Sequence, residues 1–174
     1  MKIDPTLYEN DFPSKLRLEG MEWWIVEDGG SIPDGYDIDE IGWVTDRIGI
    51  TDFEGSIKAV EEGHLTINVA GELESPAQVQ IAIEPYHGTV QKSLDSLADL
   101  IQEQMEKDTT TKVVVHCAMG IERSPLTVVW YLYKYHCLTL DEAYALVRKA
   151  RPVAAERRFW IEDFEEYFNF LNRG

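Results

Sequence analysis

One segment constrains the fold more than any other: Val113-Val114-Val115-His116-Cys117-Ala118-Met119-Gly120-Ile121-Glu122-Arg123-Ser124-Pro125. Three successive valines with no polar alternation suit a strand buried on both faces, which calls for helices on either side of a sheet. Ser124-Pro125 marks a helix start, because proline is tolerated in a first turn whose amides have no intrahelical acceptor. Cys117 to Arg123 must therefore turn the chain just past the C-terminal end of a strand. Open α/β sheets bind their ligands at that edge.

The rest of the chain supplies the sheet and helices this segment needs. Leu65 to Val69 and Val79 to Ile83 read as strands, and Leu94, Leu97, Ala98, Ile101 and Met105 recur at helical spacing before the strand at Lys112 to His116. A crossover helix between two strands is a βαβ unit. Helices are predicted from Ser124 to about His136, from the Thr139-x-x-Glu142 capping box to Arg151-Pro152, and from Glu156 to Leu171 with Phe159, Trp160, Phe164, Phe168 and Leu171 inward. The predicted fold is α/β: a central mixed or parallel sheet flanked by helices, with a helical C-terminal third. Residues 1–45 read as an extension packed on or beside a catalytic domain of residues 46–174. The extension is dense in turn formers and acids, with one apolar burst at Trp23-Trp24-Ile25-Val26 and a long surface loop through Gly29-Gly30, Pro33-Asp34-Gly35 and Asp37 to Glu40.

Charge narrows the function. With 32 acidic and 16 basic residues the net charge is -16, which argues against an extended nucleic acid or an anionic membrane as partner, since each needs a broad basic face. Residues 1–110 hold 24 acids and 7 bases, whereas 111–174 hold 8 and 9. A local positive site for a single small anion thus fits the C-terminal part. Met1 to Thr6 lacks the basic start and apolar run of a signal peptide, and no stretch has the length of a membrane span, so a soluble, cytoplasmic protein is expected. Two cysteines, Cys117 and Cys137, are too few for a disulfide scaffold, and the scattered histidines and cysteines offer no metal-ligand spacing, so no metal or cofactor is expected.

If the Cys117 to Arg123 segment curls into a ring, its backbone amides and the helix N-terminus converge on one point and cradle a tetrahedral oxyanion. Gly120 permits the curl. The positive field should lower the Cys117 pKa and make it a nucleophile, with His116 orienting the loop. Arg123 holds two phosphate oxygens with its planar fork, and Ser124 offers a hydrogen bond to the departing sulfur. The binding set is His116, Ala118, Met119, Gly120, Ile121, Glu122 and Arg123. This is two-step phosphoryl transfer through a cysteinyl-phosphate, in which amides and Arg123 do the electrostatic work without a metal.

His116-Cys117-x-x-Gly120-x-x-Arg123-Ser124 resembles the signature of the cysteine-dependent protein tyrosine phosphatase superfamily, and the length and motif position resemble its dual-specificity phosphatases from about Ile48 to Leu171. The resemblance implies a protein phosphatase acting on phosphotyrosine and phosphoserine/threonine, with a phosphorylated protein as partner. It also implies an aspartate general acid on the loop after the Val79 to Ile83 strand. That loop reads Ile83-Glu84-Pro85-Tyr86-His87-Gly88 and has no aspartate, which leaves Glu84 as first candidate for the acid, His87 as second, and a site with no true acid as the third reading. Two other functions remain open: a phosphate-recognition module with little turnover, and a phosphatase for a non-protein phosphoester such as an RNA 5′ end or an inositide.

Smaller features have plainer readings. Glu122 is expected as a solvated rim residue. Arg148, Lys149, Arg151, Arg157 and Arg158 read as surface-paired helix ends or as a second anion pocket. Cys137, roughly 20 Å from Cys117 at 1.5 Å per helical residue, reads as packed and structural. Trp130, Tyr131, Tyr133 and Tyr135 read as packing residues.

Overall fold

The computed structural model describes residues 14–161. Its elements in chain order are α1 (Ser14–Glu27), β1 (Gly42–Trp43), β2 (Ile48–Thr51), α2 (Phe53–Glu61), β3 (Leu65–Asn68), β4 (Val79–Gln80), α3 (Val90–Lys107), β5 (Val113–His116), α4 (Arg123–Tyr135) and α5 (Leu140–Ala150). The five strands form one sheet in the order β1-β2-β5-β3-β4. Only the β1–β2 pair is antiparallel. The valine run takes the centre, pairing Val113 with Ile48 on one side and with Leu65 on the other. Every residue of β5 is buried, as expected of a strand covered on both faces.

The parallel register puts the C-terminal ends of β2, β3, β4 and β5 on one edge, so the loops that follow them gather there. Asp52 starts α2 by accepting the Gly55 amide at 2.8 Å. Thr139 does the same for α5, accepting the Glu142 amide at 3.1 Å. Helix α3 buries Leu94, Leu97, Ala98 and Ile101, the positions its periodicity selects. The strand expected over Val79 to Ile83 is regular only at Val79–Gln80, but the Ile81 and Ile83 amides still donate to the Asn68 and Val69 carbonyls at 3.1 and 3.0 Å. A helical turn begins at Phe159, and the rest of the expected third helix lies outside the described residues. Helix α1 was not legible as a helix, because its 14 residues carry no first-turn acid and no last-turn base, and exposed Trp23 and Val26 blur the apolar face. It nevertheless buries Leu18, Met21, Trp24 and Ile25 against Ala118, Met119 and Ile121.

Candidate active site

The ring from Cys117 to Arg123 forms because each of its carbonyls finds a donor outside the ring. Cys117 O accepts from His116 Nδ1 at 3.0 Å, Ala118 O from the Phe53 amide and Ile121 O from the Ala155 amide. Met119 O and Gly120 O accept from Arg151 Nη2 and Nε at 2.9 and 3.1 Å, and Glu122 O from the Leu126 amide. A trans peptide points its N–H opposite its C=O, so the amides of residues 118 to 123 all turn to the other side, toward the ring centre. Gly120 has φ +68°, and a Cβ there would sit 2.5 Å from Arg151 Nη2 and 2.7 Å from Thr51 O, so only glycine fits. Cys117 Sγ lies 3.2 Å from Ser124 Oγ in the first turn of α4. Cys117, Ala118, Met119, Ile121, Glu122 and Arg123 line the small cleft that results.

The β3–β4 loop closes one wall. Because a carbonyl can only accept, His116 Nδ1 carries the proton toward Cys117 O, and the neutral ring's Nε2 then accepts from Ser75 Oγ at 2.9 Å. Burial, partly offset by the Cys117 carbonyl and reinforced by the charge of Arg123, pushes the His116 pKa down to about 4. Glu72 takes both terminal nitrogens of Arg123, at 2.7 and 2.6 Å. Burial works against the Arg123 charge, but Glu72 and the charges of Cys117 and Glu122 outweigh it and raise the pKa. Glu84 follows β4 on the same edge. Its Oε1 is 3.7 Å from where a Cβ on Gly71 would sit, which brings it beside Glu72. Its other oxygen pairs with exposed His87 at 3.6 Å, and between them Tyr86 takes φ +67°, a conformation non-glycine residues seldom adopt.

The opposite wall comes from the N-terminal segment and the end of β2. Glu122 does not sit on a solvated rim: it accepts from Arg157 Nε at 2.6 Å. Arg157, almost wholly buried, also donates to Asp28 at 2.7 Å and lies within 6 Å of the Trp24, Phe159 and Trp160 ring centroids. The sequence could not show this, since its partners are 35 and 129 residues away. Arg158 pairs with Glu156 and Asp141, and Arg148 binds the Asp28 and Ala154 carbonyls. The four arginines of the basic cluster are thus paired within the fold rather than gathered into a second anion pocket, and Lys149 is exposed. Cys137 is exposed at φ +57° rather than packed. Trp130 and Tyr131 are buried as expected, whereas Tyr133 and Tyr135 are exposed.

Asp39, Asp52 and Glu54 bring carboxylate oxygens within 4.8 Å of one another at the start of α2. Burial, followed by the hydrogen bond with Asp39, pushes the Asp52 pKa up to about 9, so a proton joins this pair at neutral pH.

The family model for the dual specificity phosphatase catalytic domain matches residues 54–169. The chain belongs to that family. It is 40% identical over 82 residues to mouse dual specificity protein phosphatase 14, covering 45% of this chain and 40% of that protein. It is 38% identical over 61 residues to human Slingshot homolog 2, covering 35% of this chain and 4% of that protein. The chain thus matches about two fifths or less of the length of these relatives. In fold it is similar to human DUSP28, with a TM-score of 0.61 at 17% identity over 76% of this chain and 95% of that one. It is likewise similar to a mouse dual specificity phosphatase complexed with zinc tungstate, with a TM-score of 0.60 at 18% identity over 82% and 94%.

Of the residues predicted from sequence, the fold brings Cys117, Ala118, Met119, Ile121, Glu122 and Arg123 to one cleft, places His116, Gly120 and Ser124 behind it, and sets Glu84 on an adjoining loop. It adds Glu72 and Ser75, which no sequence signal singled out, and gives Arg151 and Arg157, read from sequence only as members of a basic cluster, their specific partners. Glu72 and Ser75 sit in a loop without regular structure, where only the fold reveals their partners.

Proposed function

We propose that the chain hydrolyses phosphomonoesters of tyrosine and of serine or threonine in proteins, through a cysteinyl-phosphate. The observation that carries this is the set of outward-bonded carbonyls from Cys117 to Glu122, which leaves six amides aimed at one point beside the Cys117 sulfur. In the first step Cys117 Sγ attacks phosphorus, the bond to the substrate oxygen breaks, and Glu84 gives that oxygen a proton. In the second, Glu84 takes a proton from water, the water oxygen attacks phosphorus, and the S–P bond breaks to release inorganic phosphate. Arg123 and the amides of residues 118 to 123 hold the equatorial oxygens, where charge is greatest in the transition state. Ser124 Oγ donates to the departing sulfur. Neutral His116, held by Ser75, fixes the Cys117 carbonyl and touches no substrate.

In this reading residues 46–174 form the catalytic domain and residues 1–45 its N-terminal extension, whose Leu18, Met21, Trp24 and Ile25 pack behind the loop. Among the described residues no helix is long and apolar enough to cross a membrane. Both cysteines are free, which suits a reducing compartment such as the cytoplasm. Turnover of an aryl phosphate by the wild-type chain, abolished in Cys117→Ser and indifferent to chelators, tests the reading; full activity in that variant would refute it. Glu84→Gln and His87→Asn, compared on aryl phosphates of graded leaving-group pKa, test the acid. Loss of the acid penalises the poorest leaving groups most, and equal sensitivity of the two variants removes Glu84 from the role.

One observation favours a second reading, a phosphate-recognition module: both terminal nitrogens of Arg123 are engaged by Glu72. Radiolabelled phosphate trapped on Cys117 after an acid quench separates the two, because a binder accumulates none.

A further inference from the structure

Glu72 is the acid nearest the charge that must receive the substrate. It holds Arg123 through both terminal nitrogens, so an entering phosphate dianion shares that guanidinium with a carboxylate it repels. No lysine or arginine occurs from residue 59 to 91, the stretch that supplies the Glu72 and Glu84 loops, and none from 18 to 46, which packs on the opposite wall. The first of these stretches carries Glu72, Glu74 and Glu84 at the sheet edge, with Glu74 and Glu84 exposed. On the other side, Arg157 and Arg158 are paired with Glu122, Asp28, Glu156 and Asp141, and Arg151 is buried under the ring. Among the described residues, the positive charge at the site reaches the substrate through the ring amides and Arg123, inside an acidic rim.

We infer that Glu72 is a specificity determinant that makes the site prefer phosphorylated residues flanked by lysine or arginine. As Arg123 turns to the phosphate, a cation one or two residues along the substrate takes over part of the compensation of Glu72, and Glu74 adds to the same field. A substrate flanked by acids meets the rim with like charge and gains no such exchange. This rests on the phosphatase reading and deepens it.

The test compares two phosphotyrosine peptides of equal length, one with lysines and one with glutamates on both sides of the phosphotyrosine, alongside an aryl phosphate that carries no flanking charge. The lysine peptide should have the higher kcat/KM by about tenfold at low ionic strength, shrinking to about twofold at 0.5 M salt. Glu72→Gln should cut the low-salt ratio to about threefold. Glu74→Gln, at an exposed position outside the cradle, should lower the ratio less and leave aryl phosphate turnover at the wild-type rate. Equal kcat/KM for the two peptides, with the aryl phosphate turned over normally, overturns the inference and leaves the phosphatase reading intact. Failure of the wild-type chain to turn over the aryl phosphate overturns that reading and the inference with it. A peptide ratio unchanged in Glu72→Gln removes Glu72 from the role.

Discussion

Two arginine–carboxylate pairs flank the Cys117 loop, and they are built for opposite purposes. On the β3–β4 wall, Glu72 meets Arg123 in a pair whose carboxylate side chain keeps about a third of its surface in water. On the N-terminal wall, Glu122 meets Arg157, which is only 4% exposed, holds Asp28 as well and lies among three aromatic rings. The first pair can be remade when a phosphate arrives, because water and a substrate cation can solvate what Arg123 gives up. The second cannot open without burying unpaired charge. Identical chemistry thus serves exchange on one wall and anchorage on the other, and burial with extra partners makes the difference.

The largest effect expected from separating the two is on rate. Arg123→Lys replaces a planar fork with a point charge and should lower kcat/KM for an aryl phosphate by about 10²–10³, while the melting temperature stays within a few degrees of wild type. Comparable rate loss in Arg157→Lys would break the contrast, since that side chain faces away from the cradle in this account.

The two walls also differ in how they respond to pH. His116 on the β3–β4 wall has its pKa at about 4, below the 6.5 of an unfolded histidine. Between those values the unfolded chain binds the extra proton, so this group costs stability as pH falls from 6.5 toward 4, about 3 kcal/mol in all. Asp52 on the other wall runs the opposite way. With its pKa near 9, the folded chain keeps a proton that the unfolded chain has lost above about 4, so its contribution falls as pH rises from 4 to 9. The two slopes cancel between 4 and 6.5, and only the Asp52 slope remains above. Asn caps a helix as well as Asp, so Asp52→Asn should gain on wild type progressively up to pH 9 and expose the His116 slope below 6.5. Melting curves across that range check it, and parallel profiles would contradict it.

Removing the anchor is a smaller test. Arg157→Met leaves Glu122 without its guanidinium while a quarter of that carboxylate stays in water. The cost should therefore be about 2 kcal/mol rather than the 3–5 of a fully buried pair, or a fall of about 4–8 °C in melting temperature. Glu122→Gln should recover part of that loss in the double variant, because an amide needs no counter-charge.

The same contrast between local and distant contacts explains what the sequence could reveal. Val113 to Pro125 was legible because it carries local signals, a valine run, a glycine at positive φ and a proline in a helix's first turn, although Phe53, Arg151 and Ala155 hold its carbonyls from afar. The α3 stripe and the Asp52 and Thr139 caps belong to the same class or could have been found with the same signals. Arg151, Glu72, Ser75 and Arg157 were not legible, because each acts on a partner between 31 and 129 residues away. Glu122 was misread for that reason. Its charge beside an anion site looked like a rim feature until Arg157 was placed against it. Helix α1 was missed for another reason: Leu18, Met21 and Ile25 have helical spacing, but the exposed Trp23 and Val26 beside them blur the stripe that covers Ala118, Met119 and Ile121.

The smallest and most discriminating effect concerns inorganic phosphate as a product inhibitor. If Glu72 competes with the dianion for Arg123, Glu72→Gln removes a like charge at the cradle mouth while keeping a neutral oxygen for the guanidinium, and phosphate should inhibit about threefold more strongly at low salt. Glu122→Gln removes a charge of the same sign from the Cys117 loop, but that charge is already answered by Arg157, so phosphate inhibition should stay near wild type while the melting temperature falls. The inhibition constants of the two variants therefore separate the walls where rate alone does not. Raising the salt should erase the Glu72→Gln gain, because the interaction it removes is partly solvent-exposed. Equal strengthening in both variants would mean that phosphate senses only the summed charge of the loop, and the distinction between an exchanging pair and an anchoring one would be lost.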